Sequence, residues 1–414
     1  MSKNDPRLDA PWLASEALTA VFDALKAGGF EARVVGGAVR NALLGHPVSD
    51  IDIATPARPE DVMRLAKAAG LNTHPTGLSH GTVTVVSNGT PFEITTLRRD
   101  VATDGRHAVV SFTDDWTEDA KRRDFTINAL YAGRDGKLFD YTGGQEDLAA
   151  HRVRFIGDAH ARIREDYLRI LRFFRFTADY GRGAPDAVGM SACADLKDGM
   201  RQLSSERIGA ELLKLIVSPR ASEVCEVMER SGILKIILGK PSHPDRLARM
   251  QAIEAALAAP ADAAGRLAAL ALEAPDHAAD IARRLRLSND MAAAMKASAT
   301  AHPALNPNAP ESDAKALLYR MRAEAFERAV RHAWAASGAA ATDPAWRERY
   351  LLSARWSPPA MPFTGADVLA LGLLPPGPHV GAVLTAFESW WIKHDFSADP
   401  ALQKSQLTEL VRKG

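Results

Sequence analysis

The chain has 414 residues, more than one ordinary hydrophobic core accommodates, so about two to four domains are expected. Lys+Arg and Asp+Glu both number 51, which excludes a global field that draws in polyanions; any nucleic acid must be held by local patches. Two isolated cysteines, Cys193 and Cys225, exclude a disulfide framework and a cysteine zinc site, and no run approaches the roughly 20 apolar residues of a membrane span.

In chain order, Met1 to Leu13 mixes charges with two prolines and has no apolar core, so no signal peptide is expected and the protein reads as soluble and cytoplasmic. An amphipathic helix is predicted from Ser15 to Lys26, closed by Gly28-Gly29. Strand-like runs follow at Arg33–Val35, Ile51–Ala54, Thr82–Val86, Phe92–Thr96 and Leu138–Tyr141, with helical runs at 38–44, 59–69 and 124–131. This mixture predicts an α/β domain with a small sheet. From about 145 onward strand signals nearly vanish and long, alanine-rich helical patterns take over, as in 247–274 and 311–336. Pro303–Pro310 and Pro358–Pro362 read as connections.

Within this frame the order of two short motifs carries the chemistry. Gly36-Gly37 lies between a strand and a helix, where it allows close backbone approach to an anion, and Arg40 stands one turn in to complete a phosphate cradle. Asp50-Ile51-Asp52 follows. Residues i and i+2 of a strand share a face, so two carboxylates are presented side by side, an arrangement that repels itself unless divalent cations sit between the oxygens. Hard ions with oxygen ligands, above all Mg²⁺ bridging substrate phosphates, suit such a pair. A phosphate loop followed by metal carboxylates suggests nucleotidyl transfer. Either motif alone is as well explained by an ordinary turn or a solvated edge.

Glu93, on the strand Phe92–Thr96, becomes a third carboxylate, as metal ligand or proton acceptor, if that strand neighbours the one bearing the aspartates. Residues 98–114, centred on Asp104-Gly105-Arg106-His107, read as a polar loop, ordinary or able to close over substrate. In Arg122-Arg123-Asp124-Phe125-Thr126-Ile127-Asn128, Arg123 can pair with phosphate, Asp124 can accept from a ribose hydroxyl or start a helix as its N-cap, and Asn128 joins them as a candidate nucleotide contact. A single helix is predicted over about 160–178, with Arg162, Glu165, Asp166, Arg169 and Arg172 on one face. Ion pairs explain much of that face. They explain less well why Arg172 and Arg175 add positive charge beside Phe173 and Phe176, and paired Asp and Arg offer the acceptors and donors that a base edge requires. Ser204-Ser205-Glu206-Arg207 reads as a capped, mainly structural helix start.

Taken together, Gly36-Gly37-x-x-Arg40, Asp50-x-Asp52, Arg122-Arg123-Asp124 and Glu165-Asp166-x-x-Arg169-x-x-Arg172 resemble, in order and spacing, the bacterial class II tRNA nucleotidyltransferases (CCA-adding enzymes) and their poly(A) polymerase relatives. The resemblance is close from about 33 to 216, and Gly365-Ala366-Asp367 and Gly377-Pro378-His379-Val380-Gly381 are similar to a short pattern near the family's C-terminus. It implies an α+β head related to polymerase β over 1–145, a helical neck with base recognition over 146–235, and an all-α body and tail over 236–414 that binds tRNA. It also implies that Gly36, Gly37 and Arg40 bind the triphosphate and Asp50 and Asp52 bind Mg²⁺. Arg123, Asp124 and Asn128 then hold the ribose side, Asp166 and Arg169 face the incoming base, and Arg172 and Arg175 extend that surface. The implied reaction transfers CMP, CMP and AMP from CTP and ATP to a tRNA 3′ end. Two departures from the family pattern stand out: Asn41 where Asp is usual, and Tyr167 where Pro is usual, the latter read as restoring a donor inside the helix. The alternatives are a poly(A) polymerase or A-adding enzyme, and, further off, an RNA-binding protein with a degenerate head. The last segment, 401–414, carries only Lys404, Arg412 and Lys413 as cations, which favours CCA addition over poly(A) synthesis. Oligomeric state is not legible.

Overall fold

The computed structural model describes residues 7–104 and 107–413. It divides into two compact units, Met1–Ile237 and Leu238–Gly414. The first is built on a seven-stranded sheet of order β3-β4-β5-β2-β1-β8-β9. Its strands are β1 (Arg33–Val35), β2 (Asp52–Thr55), β3 (Asn72–Gly77), β4 (Thr82–Ser87), β5 (Thr90–Thr96), β8 (Leu130–Ala132) and β9 (Leu138–Asp140). Every neighbouring pair is antiparallel except β2 and β5, whose parallel register sets Asp52 beside Glu93 and Ile53 beside Ile94. The two-residue periodicity of a half-buried sheet explains the arrangement. Val83, Val85, Phe92, Ile94 and Ile53 are buried, whereas Asp52 and Glu93 are exposed. Helices α1 (Glu16–Ala27), α2 (Gly37–Leu43) and α3 (Pro59–Ala68) belong to this layer, and α1 and α3 pack against β4. Ser15 caps α1 by accepting from Leu18 N at 3.3 Å.

Three predicted elements are corrected. The polar stretch 98–114 holds a hairpin, β6 (Arg98–Asp104) paired with β7 (His107–Phe112), in place of a loop; Gly105 and Arg106 lie outside the described residues. The run 124–131 is a single 3-10 turn, Thr126–Asn128, leading into β8, because pairing with β1 captures Tyr131 and Ala132 before a helix can propagate. The helix predicted over 160–178 is two helices, α6 (Ala159–Glu165) and α7 (Leu168–Tyr180), with Asp166 extended between them at φ −157° and ψ 107°. Helices α4 (Trp116–Lys121) and α5 (Gly144–Ala149) precede that pair, and α8 (Ala187–Leu196), α9 (Ser205–Ile216) and α10 (Ala221–Arg230) follow it. Phe125, Phe155, Phe173 and Phe176 cluster with ring centroids 4.9–6.3 Å apart. Phe173 is therefore core, and Arg172 and Arg175 lie over the Phe176 ring at 5.2 and 4.1 Å.

Among the described residues the regular elements of the second unit are all helices. One core gathers Met250, Leu318, Phe326 and Val330 around Trp334, which stacks on Trp346 at 6.2 Å and 8°. Another gathers Val368, Val383, Phe387, Trp391 and Leu407. Asp367 closes a capping box with Thr364, and Gly377-Pro378 opens the helix Pro378–Lys393. No described helix is long and apolar enough to cross a membrane.

His332, buried in the helix Ala323–Ser337, has its pKa lowered to about 4 by burial and by Arg246, against a hydrogen bond with the Ala268 backbone. The unfolded chain binds a proton there below about pH 6.5 while the folded chain does not, so stability is full above that pH and falls towards pH 4. Denaturant titrations of wild type and His332→Gln are expected to diverge over this window by up to about 3 kcal/mol, the variant showing the shallower slope. Parallel profiles would remove the assignment.

Candidate active site

Gly36 caps α2 with φ +74° and ψ −121°, a conformation costly for any residue with a Cβ, and its N–H donates to Leu130 O at 3.0 Å. A Cβ on Gly36 would lie 3.7 Å from an Arg123 guanidinium nitrogen, and one on Gly37 would lie 3.7 Å from an Arg40 guanidinium nitrogen. The Gly-Gly turn is thus flanked by two cations. Opposite it, β2 carries Asp52 between Val35 and Glu93 in the sheet register. Asp50 precedes the strand, where its carboxylate accepts from Ser49 Oγ at 2.8 Å. The Asp52 carboxyl is held above its ordinary pKa by partial burial and by the neighbouring Glu93 and Asp50 carboxylates, with Arg123 opposing. The donor set is therefore carboxylate oxygen, exposed and self-repelling, which fits a divalent metal ion. Among the described residues no group of three or more His, Cys, Asp and Glu forms a closed metal cage. The fit is thus to a hard ion that keeps water or phosphate oxygens as its other ligands.

The arginines of the site are already engaged. Arg40 is buried, donates to Asn128 Oδ1, and reaches Tyr180 Oη at 2.8 Å and Asn41 Oδ1 at 3.0 Å. Asn128 Nδ2 in turn donates to Asp124 Oδ1 at 2.9 Å, and Asp124 Oδ2 accepts from Arg172 Nε at 2.9 Å and Nη2 at 2.7 Å. Burial works against the Asp124 charge, but Arg172 and Asn128 outweigh it and lower its pKa. Asp124 starts no helix; it joins the Arg172 guanidinium of α7 to the loop before β8. Arg123 donates to Asp119 Oδ2 at 3.2 Å and to Tyr131 Oη at 3.3 Å. Arg162 of α6 grips this segment through the carbonyls of Arg122 and Arg123, the latter at 2.7 Å, and its other terminal nitrogen donates to Glu165. Glu165 also binds Arg169.

Asp166 sits at the joint between α6 and α7. One oxygen accepts from Leu168 N at 3.0 Å and the other from Arg207 Nη2 of α9 at 2.6 Å. Arg175 is bound by Glu211, also of α9, and by Asp179 at 3.2 Å. Sequence reasoning passed over Glu211 and Asp119 and read Arg207 only as part of a mainly structural helix start. A signal existed for Glu211: Arg207 and Glu211 are i and i+4 on the amphipathic helix α9 and face α7 together. Tyr167 begins α7 and is no interior helical residue, so its N–H is not needed by a helical ladder, contrary to expectation. Its ring fills the space beside Gly199, where a Cβ would lie 2.0 Å from Tyr167 Cε1.

Asp52 on the sheet and Asp50 just before it thus lie near the Gly-Gly turn, and Arg40 of α2 is joined through Asn128 and Asp124 to Arg172 of α7. Residues 32–154 match the poly(A) polymerase head domain, and 189–245 match the probable RNA- and SrmB-binding site of polymerase A. The chain is 42% identical over 238 residues to the mitochondrial CCA tRNA nucleotidyltransferase 1 of Danio rerio, covering 56% of this chain and 54% of that protein. It is 39% identical over 230 residues to the CCA-adding enzyme of Leuconostoc citreum, covering 55% of this chain and 56% of that one. The chain thus spans about half the length of the curated relatives it matches. The crystal structure of the Bacillus stearothermophilus CCA-adding enzyme in complex with CTP superposes with a TM-score of 0.75 at 27% identity, over 98% of this chain and 99% of that one. Residues 32–154 and 189–245 thus resemble poly(A) polymerase domains, and the whole chain shares the fold of a CCA-adding enzyme.

Proposed function

We propose that the chain is a CCA-adding tRNA nucleotidyltransferase, which transfers CMP, CMP and AMP from CTP and ATP to the 3′ end of tRNA and releases pyrophosphate. The observation that carries this reading is the continuous hydrogen-bonded path from Arg40 beside the Gly-Gly turn, through Asn128 and Asp124, to Arg172 on the helix that Asp166 opens. It ties a phosphate-side residue to a base-side helix. In this reading residues 1–145 act as the catalytic head, 146–235 as the neck that selects the base, and 236–414 as the body and tail that hold tRNA. A cytoplasmic site of action goes with it.

Gly36, Gly37 and Arg40 would face the triphosphate, while Arg123, Asp124 and Asn128 order the ribose side. Asp50 and Asp52 would hold Mg²⁺, which when bound lowers the pKa of the attacking hydroxyl and neutralises charge on the leaving phosphates. Glu93, paired with Asp52 in the sheet, keeps the local field negative and so favours a divalent ion there. Asn128, Asn41 and Tyr180 hold the Arg40 guanidinium in place beside the turn.

Asp166 and Arg169 present acceptor and donor groups at one helix joint, the complement a base edge requires. Asp166→Ala and Arg169→Ala are expected to lower discrimination between CTP and ATP by about 10- to 100-fold, as losing one good base contact does, before transfer itself fails. Competition assays with both nucleotides check this, and unchanged selectivity in both variants would end the base-reading assignment. The function itself is tested by incubating the protein with tRNA ending before CC, with CTP and ATP separately and together, and sequencing the product ends. Addition of C, C and A in order supports the proposal. Addition of A alone, or of an A tract, replaces it with the A-adding or poly(A) reading.

A further inference from the structure

The segment between α2 and β2 carries Asp50 and is tied at its start to one residue, through its backbone and its side chain. Residue Asn41 holds it twice: its carbonyl accepts from His46 N at 2.8 Å, and its Nδ2 donates to Pro47 O at 3.2 Å. Its Oδ1 meanwhile accepts from Arg40 Nε at 3.2 Å, Arg40 Nη2 at 3.0 Å and Tyr180 Oη at 3.3 Å. Tyr180 is the last residue of α7, and its ring stacks on His46 with centroids 6.1 Å apart. From Pro47 only Val48, Ser49, Asp50 and Ile51 remain before the strand begins at Asp52. The Asn41 amide is the side-chain donor to the Pro47 carbonyl and so fixes the start of this short lead.

We propose that Asn41 is a positioning residue for Asp50. Through its amide N–H it sets the segment that delivers this carboxylate, and through its oxygen it couples that segment to the far end of the base-reading helix. The role depends on a group with both a donor and an acceptor. An aspartate of the same shape keeps the contacts to Arg40 and Tyr180 but turns the Pro47 contact into two opposed acceptors. The inference deepens the nucleotidyltransferase reading and rests on it only where turnover is measured.

The test compares wild type, Asn41→Asp and Asn41→Ala by two readouts. The first, which needs no substrate, is amide hydrogen exchange of residues 45–51 in the free protein. Both variants are expected to exchange about tenfold faster there, the worth of one lost hydrogen bond, with the β4–β5 amides unchanged. The second is steady-state incorporation of CMP into tRNA, where kcat is expected to fall about tenfold in both variants while the CTP KM stays within about twofold. Unchanged exchange at 45–51 overturns the proposal whether or not the protein acts on tRNA. A defect in Asn41→Asp with normal kcat and exchange in Asn41→Ala overturns it too, because added charge and not the lost donor would then be the cause. A wild type inactive on tRNA would defeat the proposed function and leave the exchange result to decide the positioning role.

Discussion

Asp52→Ala is expected to abolish nucleotide incorporation, by at least about a thousandfold, while the protein melts at the same temperature as wild type or slightly higher. The two halves of that result have one cause. Asp52 stands beside Glu93 in the sheet register and near Asp50, and this crowding together with partial burial raises its pKa. Such a site is unfavourable to the folded chain and useful only with a cation present, so its removal relieves repulsion and costs no stability. A thousandfold loss corresponds to about 4 kcal/mol of transition-state stabilisation, within the several kcal/mol that metal-borne charge neutralisation supplies. Asp50→Ala should behave alike. Single-turnover incorporation of labelled nucleotide, measured beside a thermal melt, checks both halves. Turnover near the wild-type rate in either variant would end the metal assignment.

The second large effect belongs to a residue that touches no substrate in this reading. Asp119→Ala is expected to destabilise the first unit by about 3–5 kcal/mol, because a single buried carboxylate there serves three side chains and the Arg98 N–H at 3.4 Å. Asp119 is 1% exposed and accepts from Arg122 Nε at 2.7 Å, Tyr131 Oη at 2.8 Å and Arg123 Nη2 at 3.2 Å. Without it, two guanidinium groups and a phenol lose their acceptor inside the head. The melting temperature should fall by on the order of 10 °C. Asp119→Asn should lie between, since the amide keeps one acceptor and sets its N–H₂ against the arginines. The pH dependence has a definite sign. Burial alone would raise the Asp119 pKa, but Arg123, Arg122 and Tyr131 take it below the ordinary 3.8. Its contribution is therefore full above about pH 4 and is lost as the pH falls through the lowered value. Acid titrations of wild type and Asp119→Ala should converge in that range, and a constant offset down to the lowest pH would refute the assignment.

The parts of this molecule legible in its sequence are those in which one local rule decides. Gly36 needs a positive φ and Asp50-x-Asp52 exposes its own repulsion, so the acidic pair and the turn beside it could be read without a fold. The sheet was readable where apolar residues alternate, as in Thr82–Val86, and unreadable at β8, whose Leu130, Tyr131 and Ala132 are all buried and give no alternation. The break at Asp166 left no trace in the helical pattern because the apolar positions of α6 and α7 stay nearly in phase across it. The polar hairpin at 98–112 resembled a loop because neither of its strands joins the main sheet. Asp119 was hidden for a different reason. Its importance lies in Tyr131 and Arg123, residues that only the closure of β8 against β1 gathers around it.

The contact between Tyr167 and Gly199 has a consequence for how this site changes over generations. A side chain at 199 has no room while the Tyr167 ring is present, and that ring is carried by the residue that caps α7 next to Asp166. The two positions are therefore epistatic. A lineage holding tyrosine at 167 is confined to glycine at 199, and one that first exchanges the tyrosine for a smaller residue is released from that confinement but inherits a void to refill. The path of the chain at Asp166 next door is thus constrained by a pair of residues of which neither is acidic or basic.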